Sequence, residues 1–270
     1  MLSMTAILPS LGNLLSDGLP VMNFNFPAIG LVHSCFKEKF GIPRQPGLAP
    51  LAEADIEMLP PFDDIHAFDG LEGVTHLWIQ FVFHANKRDD WKAKVKPPRL
   101  GGNKTLGVFA TRSPTRPAPI GLSVVRLQGI TQREGKVFVH ISGMDLLDGT
   151  PVLDIKPYVP YVDCVPEAEN PFAATQPDLI NVDIPSPLQK VCRDYRQQTG
   201  IALAELITQI LQQDPRPPYQ QPEPDRVYGM KLLDLDVRWR YVQTNSSYWI
   251  QLADIIPSNK IIPQPTKDYL

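Results

Sequence analysis

Proline is the feature that most limits what this chain can fold into. The 270 residues hold 29 prolines against 17 glycines, and each proline fixes φ and removes a backbone donor. Where prolines cluster, long helices and central strands are excluded. The clearest case is the stretch from Gly107 to Gly121, GVFATRSPTRPAPIG. Val108 and Ala110 alternate with Phe109 and Thr111, which predicts a strand at the outset. Pro114, Pro117 and Pro119 stop it, so the segment after Arg112 should run as a stiff, extended loop. That loop carries Arg112 and Arg116, two planar guanidinium forks suited to a carboxylate, a phosphate or a base edge. Ordinary surface salt bridges would use the same residues.

The rest of the first half reads the same way. Phe24 to His33 is an opening strand broken at Pro27. His76 to His84, HLWIQFVFH, is apolar at nearly every position and predicts a strand buried on both faces. Ile120 to Ile130 and Lys136 to Ile141 predict a hairpin around a QREG turn. Short strands joined by proline and glycine turns, with almost no helical period, make a mainly β chain of antiparallel barrel or sandwich type up to about Val165. Beyond it the period changes. Leu188, Val191, Cys192 and Tyr195 follow helical spacing, as do Leu203, Leu206, Ile207, Ile210 and Leu211, with the second helix ending at Asp214 before Pro215. Val237, Trp239 and Tyr241 then alternate with Asp236, Arg238 and Arg240, and are expected to be core. The expected division is an N-terminal extension over 1–22, a strand-rich domain over 23–165, a linker over 166–186 and a small α+β domain over 187–270.

The formal charge of −3 conceals two opposed stretches. Lys87 to Arg116 holds nine Lys and Arg against two Asp, while Asp145 to Asp183 holds eight acids against Lys156 alone. This asymmetry fits a polyanion-binding face beside an acidic reaction site, or two surfaces that pair with each other. Three scattered cysteines and no C-x-x-C favour a reducing compartment and argue against a disulfide framework or a zinc site. The five histidines show no metal-ligand spacing, and no apolar run reaches membrane-spanning length. The phosphate-binding, dinucleotide-binding, zinc-protease and nucleophile-elbow signatures are all missing.

Five ordered segments carry a resemblance: RQPG at Arg44 to Gly47, HLWIQFVFH, PPRLGGN at Pro97 to Asn103, GVFATRSPTRPAPIG, and LDGTPVLDIKPYVP at Leu147 to Pro160. Together they resemble the TrmO family, S-adenosylmethionine-dependent enzymes that methylate the exocyclic amine of threonylcarbamoyl-adenosine beside the tRNA anticodon. DPRPPY at Asp214 to Tyr219 and VRWRY at Val237 to Tyr241 resemble the C-terminal domain of bacterial members. The resemblance implies a single-sheet antiparallel β-barrel methyltransferase domain with a smaller α+β C-terminal domain for tRNA recognition. It also implies a cytoplasmic homodimer that binds the tRNA anticodon stem-loop, with threonine isoacceptors as substrates and with neither metal nor membrane. The family usually has Asn where this chain has Ala118: if that amide contacts cofactor or RNA, one hydrogen bond is missing here, and if it only braces the turn, the flanking prolines suffice.

Residue by residue, the resemblance implies cofactor binding at Arg44, Gln45, Pro46, Gly47, Leu48, His84, Ala85, Arg112, Leu122, Ser142, Gly143, Met144 and Asp145. Arg112 or Arg44 would suit the carboxylate of S-adenosylmethionine, Asp145 its ammonium, and the Ser142 to Met144 backbone its adenine. In DIKPYVPY, Asp154, Lys156 and Tyr158 are the candidate catalytic residues, offering titratable groups and an aromatic face for an unstacked base. If DIK is a strand, Asp154 and Lys156 share one face and Ile155 takes the other; a structural ion pair is the bland alternative. Lys92, Lys94, Lys96, Arg99, Arg116, Arg216, Arg238 and Arg240 are the candidate RNA contacts, with Trp91 available for stacking. A barrel that binds tRNA without catalysis is the runner-up reading, and an enzyme acting on a small anionic metabolite is a third.

Overall fold

The computed structural model describes residues 24–86, 91–97, 104–216, 220–223, 226–243 and 247–258. The proposed N-terminal extension and Arg99 lie outside the described residues. Six strands close into one antiparallel barrel: β1 (Gly30–Ser34), β2 (Glu53–Met58), β3 (His76–Val82), β6 (Ile120–Arg133), β7 (Lys136–Ser142) and β8 (Pro151–Pro157). Their order around the barrel is β1-β2-β7-β6-β3-β8. Two short strands, β4 (Lys94–Val95) and β5 (Leu106–Gly107), pair as a separate ribbon.

Period-two patterning fills the barrel. Val32, Ile56, Leu77, Ile79, Val125, Val137, Val139, Ile141 and Val152 are all fully or almost fully buried. Register shifts between Gln80 and Phe81 and between Leu127 and Gly129 mark irregularities of the kind that let a twisted sheet bend and close. The β6–β7 hairpin turns at Glu134 and Gly135, whose φ values of 49° and 79° are those a two-residue hairpin turn requires.

Four local expectations change. β3 alternates buried and half-buried residues and is not buried on both faces, because only Leu77, Ile79 and Phe81 face the interior. The opening strand starts only at Gly30; Phe24 and Phe26 are exposed. GVFAT leaves the strand after Gly107 and forms a 3-10 turn over Val108–Ala110, with Thr111 N donating to the Val108 carbonyl. The third helix ends at Leu211, three residues before Asp214.

The C-terminal part has two helices over a four-stranded sheet. The helices are α2 (Ser186–Thr199), closed by Gly200 in the left-handed region, and α3 (Leu203–Leu211). A single turn, α1 (Pro160–Asp163), precedes them. The sheet runs β10-β11-β12-β9, from β10 (Tyr228–Leu232), β11 (Leu235–Gln243), β12 (Tyr248–Pro257) and β9 (Val182–Asp183). Because β9 pairs in parallel with β12, the end of the expected linker is a strand of this sheet. Trp239 and Tyr241 are core, as expected. The two halves share one hydrophobic core: Phe36 bridges Leu232, and the Phe40 ring stacks on Trp239 at 5.8 Å.

Candidate active site

One mouth of the barrel opens into a cavity of about 620 Å³, within the range of small-molecule sites. β6 supplies Ile120, Gly121, Leu122 and Ser123, and the end of β3 supplies Phe81, followed by Phe83, His84 and Ala85. The proline-rich loop contributes Arg112, Pro114, Arg116 and Ala118; the 43–45 segment contributes Pro43, Arg44 and Gln45. The prolines do here what the sequence predicted, holding two arginines at the rim with little conformational freedom left to lose.

The polar groups make specific contacts. Arg112 Nη1 donates to Gln45 Oε1 at 2.6 Å. Ser123 Oγ donates to Asp145 Oδ1 at 2.6 Å. Burial pushes the Asp145 carboxyl above the usual aspartate range, against the opposing pull of the Ser123 hydrogen bond and the positive Arg112. Lys39 Nζ, on the same wall, donates to the Asn86 side chain at 3.0 Å. Phe81, Ile120 and Leu122 make the apolar lining. A buried carboxyl, an arginine fork and an apolar wall fit the ammonium, carboxylate and adenine of S-adenosylmethionine.

Of the residues expected at a cofactor site, Arg44, Gln45, His84, Ala85, Arg112, Leu122 and Asp145 come together around this cavity, joined by Arg116 from the RNA set. Pro46, Gly47, Leu48, Ser142, Gly143 and Met144 do not line it. They pack beside it: Gly47 N donates to the Gly143 carbonyl at 2.7 Å, and Gly143 N to the Ala52 carbonyl at 2.9 Å. Ser142 accepts from Gln128 at 2.6 Å, and Met144 is buried beneath Ser34. For Ser142 to Met144 the physical reason is that β7 ends at Ser142 and the backbone then turns through Gly143 at φ 70°, so these three buried residues pack beneath the neighbouring loop and do not face the mouth. Ser123 was not foreseen. A serine on the inward register between Gly121 and Val125 is the signal that could have found it, since a buried hydroxyl needs a partner.

Asp154, Lys156 and Tyr158 lie outside this cavity. In β8, Ile155 pairs with Ile79, so Asp154 and Lys156 share the opposite, outer face as the strand period requires. They form an ion pair at 2.5 Å with half-exposed side chains, and Tyr158 packs on Trp78 at 5.8 Å. Asp154, Gln80 and Leu122 nevertheless occupy one cross-strand row. Two strand spacings, roughly 10 Å, therefore separate the Asp154 backbone from that of a cavity residue.

Arg216 requires a correction, because it is not presented to a polyanion. It is 4% exposed, paired with Asp214 at 2.8 Å, hydrogen-bonded to Tyr248 Oη at 2.8 Å and to the Gln220 carbonyl, and lies 4.9 Å from the centres of the Tyr241 and Tyr248 rings, which meet edge to face. Burial opposes its charge, but the hydrogen bonds to Asp214 and Tyr248 outweigh that and hold it protonated. Lys92, Lys94, Lys96, Arg238 and Arg240 are exposed, with Arg238 paired to Asp236 at 2.9 Å. Among the described residues no group of three or more acids, histidines or cysteines could hold a metal, and no helix is long and apolar enough to cross a membrane.

A closed barrel with a cavity of this size and lining at its mouth has the architecture of a small-molecule-binding β-barrel. Comparison with known proteins fixes the lineage. The tRNA-methyltransferase O N-terminal domain matches residues 31–164 and the TrmO C-terminal domain residues 177–254. A Pseudomonas aeruginosa protein named as an S-adenosylmethionine-dependent methyltransferase is 53% identical over 220 residues, covering 82% of this chain and 94% of the relative. The Escherichia coli tRNA (adenine(37)-N6)-methyltransferase is 41% identical over 224 residues, covering 81% and 93%. The crystal structure of TrmO from Pseudomonas aeruginosa superposes with a TM-score of 0.70 at 45% identity, covering 87% of this chain and 99% of that one. The chain belongs to the tRNA-methyltransferase O family.

Proposed function

We propose that this protein transfers a methyl group from S-adenosylmethionine to the exocyclic N6 amine of adenine 37 in tRNA, the reaction named for its Escherichia coli relative. The observation that carries the reading is the meeting of the Arg112 fork, the buried Asp145–Ser123 pair and an apolar wall in one cavity. Full-length kinship with methyltransferases supports it. In finer detail, the substrate is adenine already bearing a threonylcarbamoyl group, in threonine isoacceptors.

S-adenosylmethionine supplies an electrophilic methyl on a sulfonium. Arg112 holds its carboxylate while Gln45 fixes that guanidinium. Asp145 faces the ammonium, and Phe81, Ile120 and Leu122 supply the apolar wall. Displacement at carbon depends on alignment, so the stiff proline-rich loop contributes by placing the nucleophile's surroundings. As nitrogen displaces the sulfur at the methyl carbon, the Asp154 carboxylate receives the one proton released by the amine, with Lys156 paired to it and Tyr158 beside it as an aromatic face, on the outer side with β3 between Asp154 and the Leu122 rim. The exposed Ile120 and Leu122, in the same β6–β3–β8 sheet as Trp78 and Tyr158, form the homodimer surface. Lys92, Lys94 and Lys96, with Arg116, Arg238, Arg240 and the Arg99 position, contact the RNA backbone. The barrel over 23–165 carries the chemistry, and the C-terminal domain docks the anticodon stem-loop in the cytoplasm.

The test is transfer of a labelled methyl group to threonine tRNA with and without the threonylcarbamoyl group. Label in the carbamoylated tRNA alone is expected. No label in either, with tRNA binding retained, would replace catalysis by a binding role and direct attention to Ala118.

A further inference from the structure

We propose that the Asp214–Arg216 loop of the C-terminal domain sets the affinity of the barrel cavity for S-adenosylmethionine, by holding the 44–51 loop in place. The proposal rests on the reading above, that this cavity binds the cofactor. Its basis is a chain of hydrogen bonds. Arg44 Nη2 donates to the carbonyls of Arg216 at 2.8 Å and Asp214 at 3.2 Å. Leu51 N donates to Gln209 Oε1 at 2.9 Å, and Gln213 Nε2 to the Leu48 carbonyl at 3.4 Å. One C-terminal segment, Gln209 to Arg216, thus grips the loop at both ends. Next to Arg44, Gln45 fixes Arg112 inside the cavity.

The grip is only as firm as the loop that provides it, and that loop is built as a rigid cage. Asp214 sits at φ 46°, a left-handed position that aspartate tolerates better than most residues. Its carboxylate is held by Arg216 at 2.8 Å and by Tyr241 Oη at 2.7 Å, while Arg216 packs against the Tyr241 and Tyr248 rings. Burial, followed by the hydrogen bond to Asp214, pushes the Tyr241 hydroxyl well above its ordinary range, so it stays protonated and donating. A charge network satisfied inside a low-dielectric shell is stiff. None of Asp214, Arg216, Tyr241 or Tyr248 lines the cavity, so the direct link from this loop to it runs through Arg44 and its neighbour Gln45. A loop already ordered binds ligand without the ordering cost, and loosening the cage returns that cost to the binding step.

Arg216 is therefore a positioning residue for the cofactor. The test uses the full chain with Arg216→Lys, which keeps charge but loses the fork, and Tyr248→Phe, which removes one hydroxyl in case the first variant folds poorly. Steady-state methylation is measured with each substrate varied in turn, and cofactor binding by calorimetry without tRNA. The KM for S-adenosylmethionine and its calorimetric Kd should rise together, on the order of tenfold, with kcat and the KM for tRNA changed less than about twofold. A rise in the tRNA KM alone would make the loop an RNA reader and overturn the proposal. Reduced thermal stability with unchanged cofactor Kd would reduce the cage to a structural role and overturn it equally. Absence of cofactor binding in the unsubstituted protein would instead sink the functional reading on which the proposal rests.

Discussion

Gly121→Ala is the substitution whose effect this fold determines most sharply. Gly121 lies directly across from Phe81 in the β3–β6 ladder, on the inward face where barrel core meets cavity. A Cβ added at Gly121 would lie 2.1, 2.4 and 2.6 Å from three carbons of the Phe81 ring, against a normal separation of about 3.5–4.0 Å. The ring must therefore move by roughly 1.5 Å. It is 5% exposed and packs edge-on against Phe83 at 5.1 Å, so it cannot slide within the core. The open direction is the cavity. Overpacking of this kind costs about 1–3 kcal/mol, and the displaced ring would also occupy cofactor space. Urea denaturation should show a loss of about 2 kcal/mol, and calorimetry a weakened S-adenosylmethionine affinity. Phe81→Leu, which removes the clash, separates this account from generic strand destabilisation. The double variant should be more stable than the sum of the single losses predicts, with a coupling of about 1 kcal/mol or more. A Gly121→Ala variant within about 0.5 kcal/mol of the parent, or strictly additive losses, would refute the reasoning.

Two pH predictions follow with opposite signs. Glu57 is held below the ordinary glutamate range by hydrogen bonds from Lys136 at 2.7 Å and His33 at 2.8 Å. Its contribution is present above the unfolded value and is lost as pH falls through the folded one. The stability difference between the parent and Glu57→Gln should shrink on acidification, and a pH-independent gap in urea melts would contradict it. Asp145 is the reverse case, raised first by burial. Its stability is fully present below the ordinary aspartate range and is lost as pH rises towards the folded value. Asp145→Asn should therefore lack that decline and gain on the parent as pH rises; parallel curves would show that the carboxyl is not desolvated.

Strand period was the most legible signal in the sequence, and it failed where one residue had to be assigned to one face. The β6–β7 hairpin and the core face of β11 follow directly from alternation and turn chemistry. β2 was equally legible and was not read: Ala54, Ile56 and Met58 are buried while Glu53, Asp55 and Glu57 alternate with them. GVFAT has strand composition, yet only Val108 is buried and Phe109 is exposed. Composition cannot report that the chain has reached the end of the sheet. Arg216 misled for a related reason. An arginine among prolines looks like a surface donor, and the two tyrosines that pack against it are 25 and 32 residues further along.

The candidate site divides along the same line. Arg112 and Asp145 could be placed because the proline-rich loop delivers its two arginines, Arg112 and Arg116, to the barrel mouth and the 142–145 segment delivers its one acid. Ser142 to Asp145 could not be taken as a unit, since the strand ends at Ser142 and the turn at Gly143 buries three residues before Asp145 reaches the cavity. DIKPY is the instructive case. Its period was read correctly, and that same period sends Asp154 and Lys156 outward whenever Ile155 packs on Ile79. In a closed barrel, inside and outside are one strand thickness apart, and the row Asp154–Gln80–Leu122 ends on the cavity rim. A substrate base large enough to reach past Leu122 meets both faces. In the proposed reaction that row is the route by which the outer-face residues serve a centre at the mouth.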